Sequence, residues 1–123
     1  MNTTPKAVLA ELDRRDGHVC AWTGEDTGRL VPQHRQRGMG GRAGLHRLSN
    51  LVWLDSVING LIESDPAWQA EALRRGIKIS GFADPEEEPV EHAVLGRVRL
   101  KDDGAWVPDR VVPVDETWKV VSG

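Results

Sequence analysis

The chain has 123 residues, 39% of them hydrophobic and 28% charged, with a net charge of −3 and a single cysteine. That size suits one domain with a modest core, and no stretch reaches the ~18 apolar residues of a spanning helix, so with no apolar leader after Met1 the expected location is the cytoplasm. Cys20 alone excludes an intramolecular disulfide and a cysteine-rich zinc cluster, so no structural zinc is expected and any metal must be held by oxygen or imidazole.

In chain order, Thr4-Pro5 reads as an N-cap and first helical residue. Ala7, Val8, Leu9 and Leu12 then recur at helical spacing until Gly17, which predicts an amphipathic helix over 5–15. Val19-Cys20-Ala21-Trp22 is a short apolar run ended by Thr23-Gly24, a strand or the entry to a tight turn. Arg29 to His34 reads as extended, because Pro32 forbids a helix interior. Arg35 to Arg47 is a loop studded with Gly38, Gly40, Gly41 and Gly44, able to approach another molecule closely. Leu51–Leu54 is a second strand. Asp55-Ser56 can cap a helix through Val57, Ile58, Leu61 and Ile62, and Asp65-Pro66 starts another that carries Trp68, Ala72 and Leu73 on one side and stops at Gly76. From Ile77 onward the pattern is β: His92–Leu100 alternates in part, Asp102-Asp103-Gly104 is a turn, and Ala105-Trp106-Val107 returns. The whole is an α+β fold in a single domain, 1–123, with a core over 15–78 and an acidic loop and β-rich tail over 79–123.

Charge is unevenly spread. Five arginines (Arg29, Arg35, Arg37, Arg42, Arg47) and no acid lie between Thr27 and Leu54, whereas acids gather at Asp84-Pro85-Glu86-Glu87-Glu88. A basic patch can bind phosphate on a chain that is negative overall; the acidic run reads as a solvated loop.

The central third of the chain places His34 at the end of a strand, then the glycine-rich loop, Asn50 at the start of a second strand, and Asn59 on the helix that follows. Together with the runs Cys20-Ala21-Trp22-Thr23-Gly24, Gln33-His34-Arg35, Arg37-Gly38-Met39-Gly40-Gly41, Leu48-Ser49-Asn50-Leu51 and Leu54–Glu63, this order resembles the HNH endonuclease (His-Me finger) family, in particular a phage-encoded subgroup. The resemblance covers about Arg15 to Lys78. It implies a ββα-metal core with an N-terminal helix and a β-rich C-terminal extension, and a metal-dependent endonuclease or nickase acting on DNA, in phage DNA processing. His34 is then the general base, since a neutral imidazole takes a proton near physiological pH. Asn50 orients that histidine through its backbone. Asn59 offers an oxygen to a divalent metal, Mg²⁺ first and Mn²⁺ second, with Gln33 and Glu63 as further ligands. Arg35, Arg37, Arg42 and Arg47, with the backbone of Gly40 and Gly41, are candidate phosphate contacts.

The sequence departs from the family pattern at two places. Gln33 stands where an acidic or imidazole metal ligand is usual, and Thr23, Asp55 and Ile58 stand where three of four zinc-binding cysteines fall in many relatives. Two further functions therefore stay open: a catalytically inactive nucleic-acid-binding module, and a phage protein-interaction factor with a phage or host partner. DNA is the expected ligand, RNA remains open, no membrane is expected, and the oligomeric state is undetermined. Taken singly, Asn59-Gly60 reads equally well as a helix end, Glu63 as an exposed helix acid, and His18, His46 and His92 as structural histidines. His46, inside the basic loop, is the one of these three best placed for a phosphate.

Overall fold

The structure, a computed structural model, describes residues 4–37 and 45–109. Helix α1 spans Lys6–Asp16; Pro5 is its N-cap, outside the helix, not its first residue as the spacing suggests. Gly17 ends it at φ 79, where its N–H reaches the Asp13 carbonyl. That backbone region is open to glycine at little steric penalty. The apolar stripe Val8, Leu9 and Leu12 packs on Leu51 and Trp53.

The expected extended segments form an antiparallel pair: β1, Leu30–His34, and β2, Leu51–Asp55, in a register that sets Leu30 opposite Asp55 and His34 opposite Leu51. All five residues of β2 are buried. Because strand side chains alternate, Leu51 and Trp53 face the α1 cluster, while Val52 and Leu54 enter the main core. A single 3₁₀ turn, Leu48–Asn50, precedes β2. Helix α2, Ser56–Ser64, follows without a loop, since Asp55 Oδ1 accepts the N–H groups of Val57 (2.8 Å) and Ile58 (3.3 Å). Arg29 Nη2 lies 2.8 Å from the other carboxylate oxygen. Such caps contribute about 1 kcal/mol. Asp65 ends α2 and caps α3, Pro66–Arg75, whose left-handed C-cap is Gly76. Trp68 and Ala72 turn to the core as expected, but Leu73 is exposed.

The expectation of β structure directly from Ile77 is corrected. Residues 77–89 are turns, and the second sheet begins only at β3, Val90–His92, pairing with β4, Gly96–Leu100, and then β5, Trp106–Pro108, all antiparallel. His92–Leu100 is not one strand, because His92 Nδ1 accepts the N–H groups of Val94 and Leu95 and bends the chain. The turn at Asp102–Gly104 forms as expected, with Gly104 at φ 87. Val90, Val98 and Leu100 share one buried cluster with Cys20, Ala21, Val52, Leu54, Ile62, Ala72 and Ile77. Val19–Trp22 is a turn, not a strand, and Ala21 stitches the two sheets: it donates to Trp53 O and accepts from Ala93 N, each at 2.8 Å. Across the described residues the result is a small α+β fold of three helices and two small antiparallel sheets. Among the described residues no helix is long and apolar enough to cross a membrane.

Two buried arginines tie these layers. Arg15 chelates its neighbour Asp16 (2.6 and 2.9 Å) and donates to Leu48 O and Leu51 O, both at 2.7 Å. Burial alone would push the Asp16 carboxyl up, but hydrogen bonds from Arg15 and His92 and the charge of Arg15 outweigh it and hold the group below its ordinary value. His92 Nε2 lies 3.5 Å from Asp16 Oδ2. Since Nδ1 of His92 accepts two backbone bonds, the proton of the neutral ring sits on Nε2, facing that carboxylate.

Candidate functional site

The loop between β1 and β2 is closed at its base by one side chain. Asn50 is buried; its Oδ1 accepts from Gln36 N at 2.9 Å, and its Nδ2 donates to Gln36 O at 3.1 Å and Leu45 O at 3.0 Å. The backbone adds Arg35 N to Asn50 O at 2.8 Å. An amide is the side chain that can do this, since it carries an acceptor and two donors on one planar group. The effect is to fix the backbone on both sides of Gln36, two residues after His34.

His34, the last residue of β1, is half-buried and its Nε2 lies 3.2 Å from His46 Nδ1, with ring centroids 5.2 Å apart. Burial first, then the neighbouring His46 and Arg37, push its pKa down from the ordinary histidine value. The shift favours the neutral ring. Two tautomer arrangements satisfy the pair. Where His34 Nε2–H donates to His46, Nδ1 of His34 keeps a lone pair able to accept a proton.

The ring borders a cleft of about 250 Å³ lined also by Gln33, Arg37, Glu63, Lys78, Ile79 and Gly81. Thus β1, α2 and the turn after α3 all contribute to one concavity. Glu63, from the last turn of α2, lies 3.8 Å from Lys78 Nζ. Gln33 spends its amide N–H on the His34 carbonyl at 3.2 Å, which leaves its amide oxygen as an acceptor. Asn59 lies in the middle of α2, one turn before Glu63, and so does not end the helix. Its Oδ1 is buried and without a hydrogen-bond partner among the described residues. An unpaired buried oxygen of this kind costs roughly 1–3 kcal/mol, unless something outside the described residues binds it.

The arginines divide. Arg35 is corrected: its guanidinium is buried and donates to the carbonyls of Gly76 (2.8 Å), Ser49 (2.8 Å), Pro85 (2.9 Å) and Glu88 (2.8 Å). Burial, then repulsion from Arg15, against the pull of Glu88, lowers its pKa to about 10, so it stays charged at neutral pH. With its donors committed inward, it is a structural strut and not a phosphate contact. Asp84, Glu87 and Glu88 stay exposed, as a solvated loop requires, while the backbone carbonyls of Pro85 and Glu88 turn inward to Arg35. Arg47 pairs with Asp102 (2.9 Å) and Asp84 (3.6 Å). Arg37 is exposed at the cleft. Gly40, Gly41 and Arg42 lie outside the described residues, as do Met39 and Trp118.

Three of the four positions where relatives of the resembled family carry zinc-binding cysteines meet in the structure. Cys20 Sγ accepts from Asp55 N at 3.4 Å, and Ile58 packs against the cluster that contains Cys20. The fourth, Thr23, caps its own turn by accepting from Glu25 N. Among the described residues no group of three or more His, Cys, Asp or Glu side chains is placed to hold a metal ion; amide oxygens such as those of Asn59 and Gln33 are a separate class of ligand.

Sequence reasoning missed Lys78 and, having marked His46 only as a phosphate contact, missed its pairing with His34. His46 has no motif position of its own, and only the fold brings it to His34. Lys78 follows the end of α3 and carries no local sign that it returns to face Glu63. No family model, curated protein or solved structure matches the chain.

Proposed function

We propose that the protein is a metal-dependent endonuclease or nickase that hydrolyses DNA phosphodiester bonds, with a ββα core formed by β1, β2 and α2. The observation that supports it is the convergence on one cleft of His34, Glu63 and the exposed Arg37, with Asn59, whose buried Oδ1 has no partner among the described residues, one helical turn before Glu63. His34 takes a proton from the attacking water at its free Nδ1, and His46 holds the ring through Nε2. Asn50 keeps the backbone after His34 from drifting. Arg37 neutralises charge on the phosphate, where a guanidinium offers two donors to two oxygens.

The oxygen-only donors Asn59, Glu63 and Gln33 suit a hard divalent ion that keeps most of its water. When bound, such an ion polarises the phosphate and stabilises the leaving oxygen. The test is nicking of supercoiled plasmid with Mg²⁺, Mn²⁺ or EDTA, for the wild type and His34→Ala. Metal-dependent nicking that disappears in the variant supports the reading; full activity in His34→Ala overturns it.

A second reading, a finger that docks on DNA without cutting it, is favoured by one contact. The Lys78 ammonium lies beside Glu63, where it answers the charge a cation would otherwise answer. Salt-sensitive DNA binding with no cleavage under any metal supports this second reading.

A further inference from the structure

The chain has a single phenylalanine, Phe82, and it is 85% exposed, the most exposed large apolar side chain among the described residues. It does not sit on a loose tip. The turn that carries it is anchored from the candidate-site segment: Gln36 Nε2 donates to Ser80 O at 2.7 Å and to Ala83 O at 3.0 Å. Within the turn, Phe82 N reaches Ser80 Oγ and Ala83 N reaches Ser80 O. Three residues before Phe82, Ile79 N donates to Arg35 O at 2.9 Å, and three residues after it Pro85 O is held by Arg35. A large aromatic group is therefore displayed in water on a turn fixed to the strand end that bears His34. The residue before it, Gly81, lines the same cleft as Arg37 and Lys78.

An aromatic ring held out one residue from a cleft that two cations line matches a polyanion whose interior is a stack of flat apolar rings. We propose that Phe82 is a base-contacting wedge, which inserts at a base step of duplex DNA while Arg37 and Lys78 hold the flanking phosphates. Insertion of an apolar side chain partly unstacks and kinks a duplex, which would present the strand to the cleft. Unlike a phosphate contact, a ring against bases releases no counterions, so it adds affinity without adding salt dependence. The inference rests on the nucleic-acid reading above, and the test separates the two.

Binding of a 30-base-pair duplex is measured by fluorescence anisotropy across a salt series in EDTA. In parallel, plasmid is relaxed by a topoisomerase with the protein present, also in EDTA, so that local unwinding appears as a shift in topoisomers. For Phe82→Ala, with an unchanged denaturation midpoint, the expected result is roughly tenfold weaker binding, an unchanged salt slope and loss of the topoisomer shift. Arg37→Ala is expected to do the reverse, with a salt slope shallower by about one. If the wild type binds while Phe82→Ala matches it in affinity and topoisomers, the wedge is refuted and the nucleic-acid reading stands. If the wild type binds no DNA at low salt, both fall.

Discussion

Replacing Arg35 by methionine keeps much of the side-chain volume and removes every donor that holds four carbonyls, the buried ones of Ser49, Gly76 and Pro85 and the part-buried one of Glu88. Hydrogen bonds from a charged donor are worth about 1.5–3 kcal/mol each when deleted singly, though they do not add. Leaving a buried acceptor unsatisfied costs about 1–3 kcal/mol taken singly, so for these carbonyls together we expect a loss of about 4 kcal/mol. A domain of this size has about 5–15 kcal/mol in total, and with a urea slope of about 1–3 kcal/mol per molar the midpoint should fall by roughly 2 M. Arg35→Lys should fall between the two, because one ammonium with three donors cannot span four carbonyl directions. The assay is urea unfolding followed by circular dichroism, with DNA anisotropy alongside. An Arg35→Met protein with an unchanged midpoint and a shallower salt slope for DNA would refute the reasoning and return Arg35 to the phosphate contacts.

Gly76→Ala should be severely destabilising, by more than about 2 kcal/mol, since the new Cβ would lie 2.0 Å from Pro89 O at a positive φ. Gly17→Ala, at a similar φ with nothing within 4 Å, should lose only about 1 kcal/mol; equal thermal shifts would contradict this. Asn50→Ala removes three loop-closing bonds and should lower stability by about 2–3 kcal/mol, whereas Asn50→Asp should rescue little, because its oxygens face the Gln36 and Leu45 carbonyls; chemical denaturation reads both. Asp16 has a folded-state pKa below its unfolded value of about 3.9, so its contribution is present above that pH and lost as pH falls through the lower folded value. The stability gap between wild type and Asp16→Asn, followed by thermal melts, should therefore be full near pH 6 and shrink below about pH 4. Cys20, buried with no exposed surface, should react with a thiol reagent only at the rate of unfolding.

Most helix ends were legible because their signals are local. Asp55, Asp65-Pro66, Gly17 and Gly76 each act within a few residues of their own backbone, and each ends or caps a helix where the spacing suggests. The two strands around the glycine-rich loop were legible for the same reason. Arg35 was not, because what distinguishes a buried guanidinium from a surface one is the set of carbonyls it meets, and three of its four come from residues 76–88, far along the chain. The turns of 77–89 were hidden with it, since their backbone is satisfied by that side chain and by Gln36 more than by a ladder. At the candidate site, the strand end that carries His34 and the helix that carries Asn59 and Glu63 were legible from local signals, whereas Asn50 falls in the 3₁₀ turn just before β2 and the facing His46 and Lys78 depend on loop closure and on the path after α3.

The four carbonyls gathered by Arg35 belong to segments before β2, at the end of α3 and through the acidic turn. None of these can be released alone without stranding a cation in an apolar interior. The division of the chain at residue 79 is therefore not a physical seam. A fragment stopped at Lys78 would lack two of the carbonyls and also Val90, Val98 and Leu100 of the shared cluster. Amide protons of β2 and of β4 should accordingly exchange through one common opening, at the same free energy. A shortened version made to isolate a minimal finger would be selected against at the folding step, before its chemistry was ever tested.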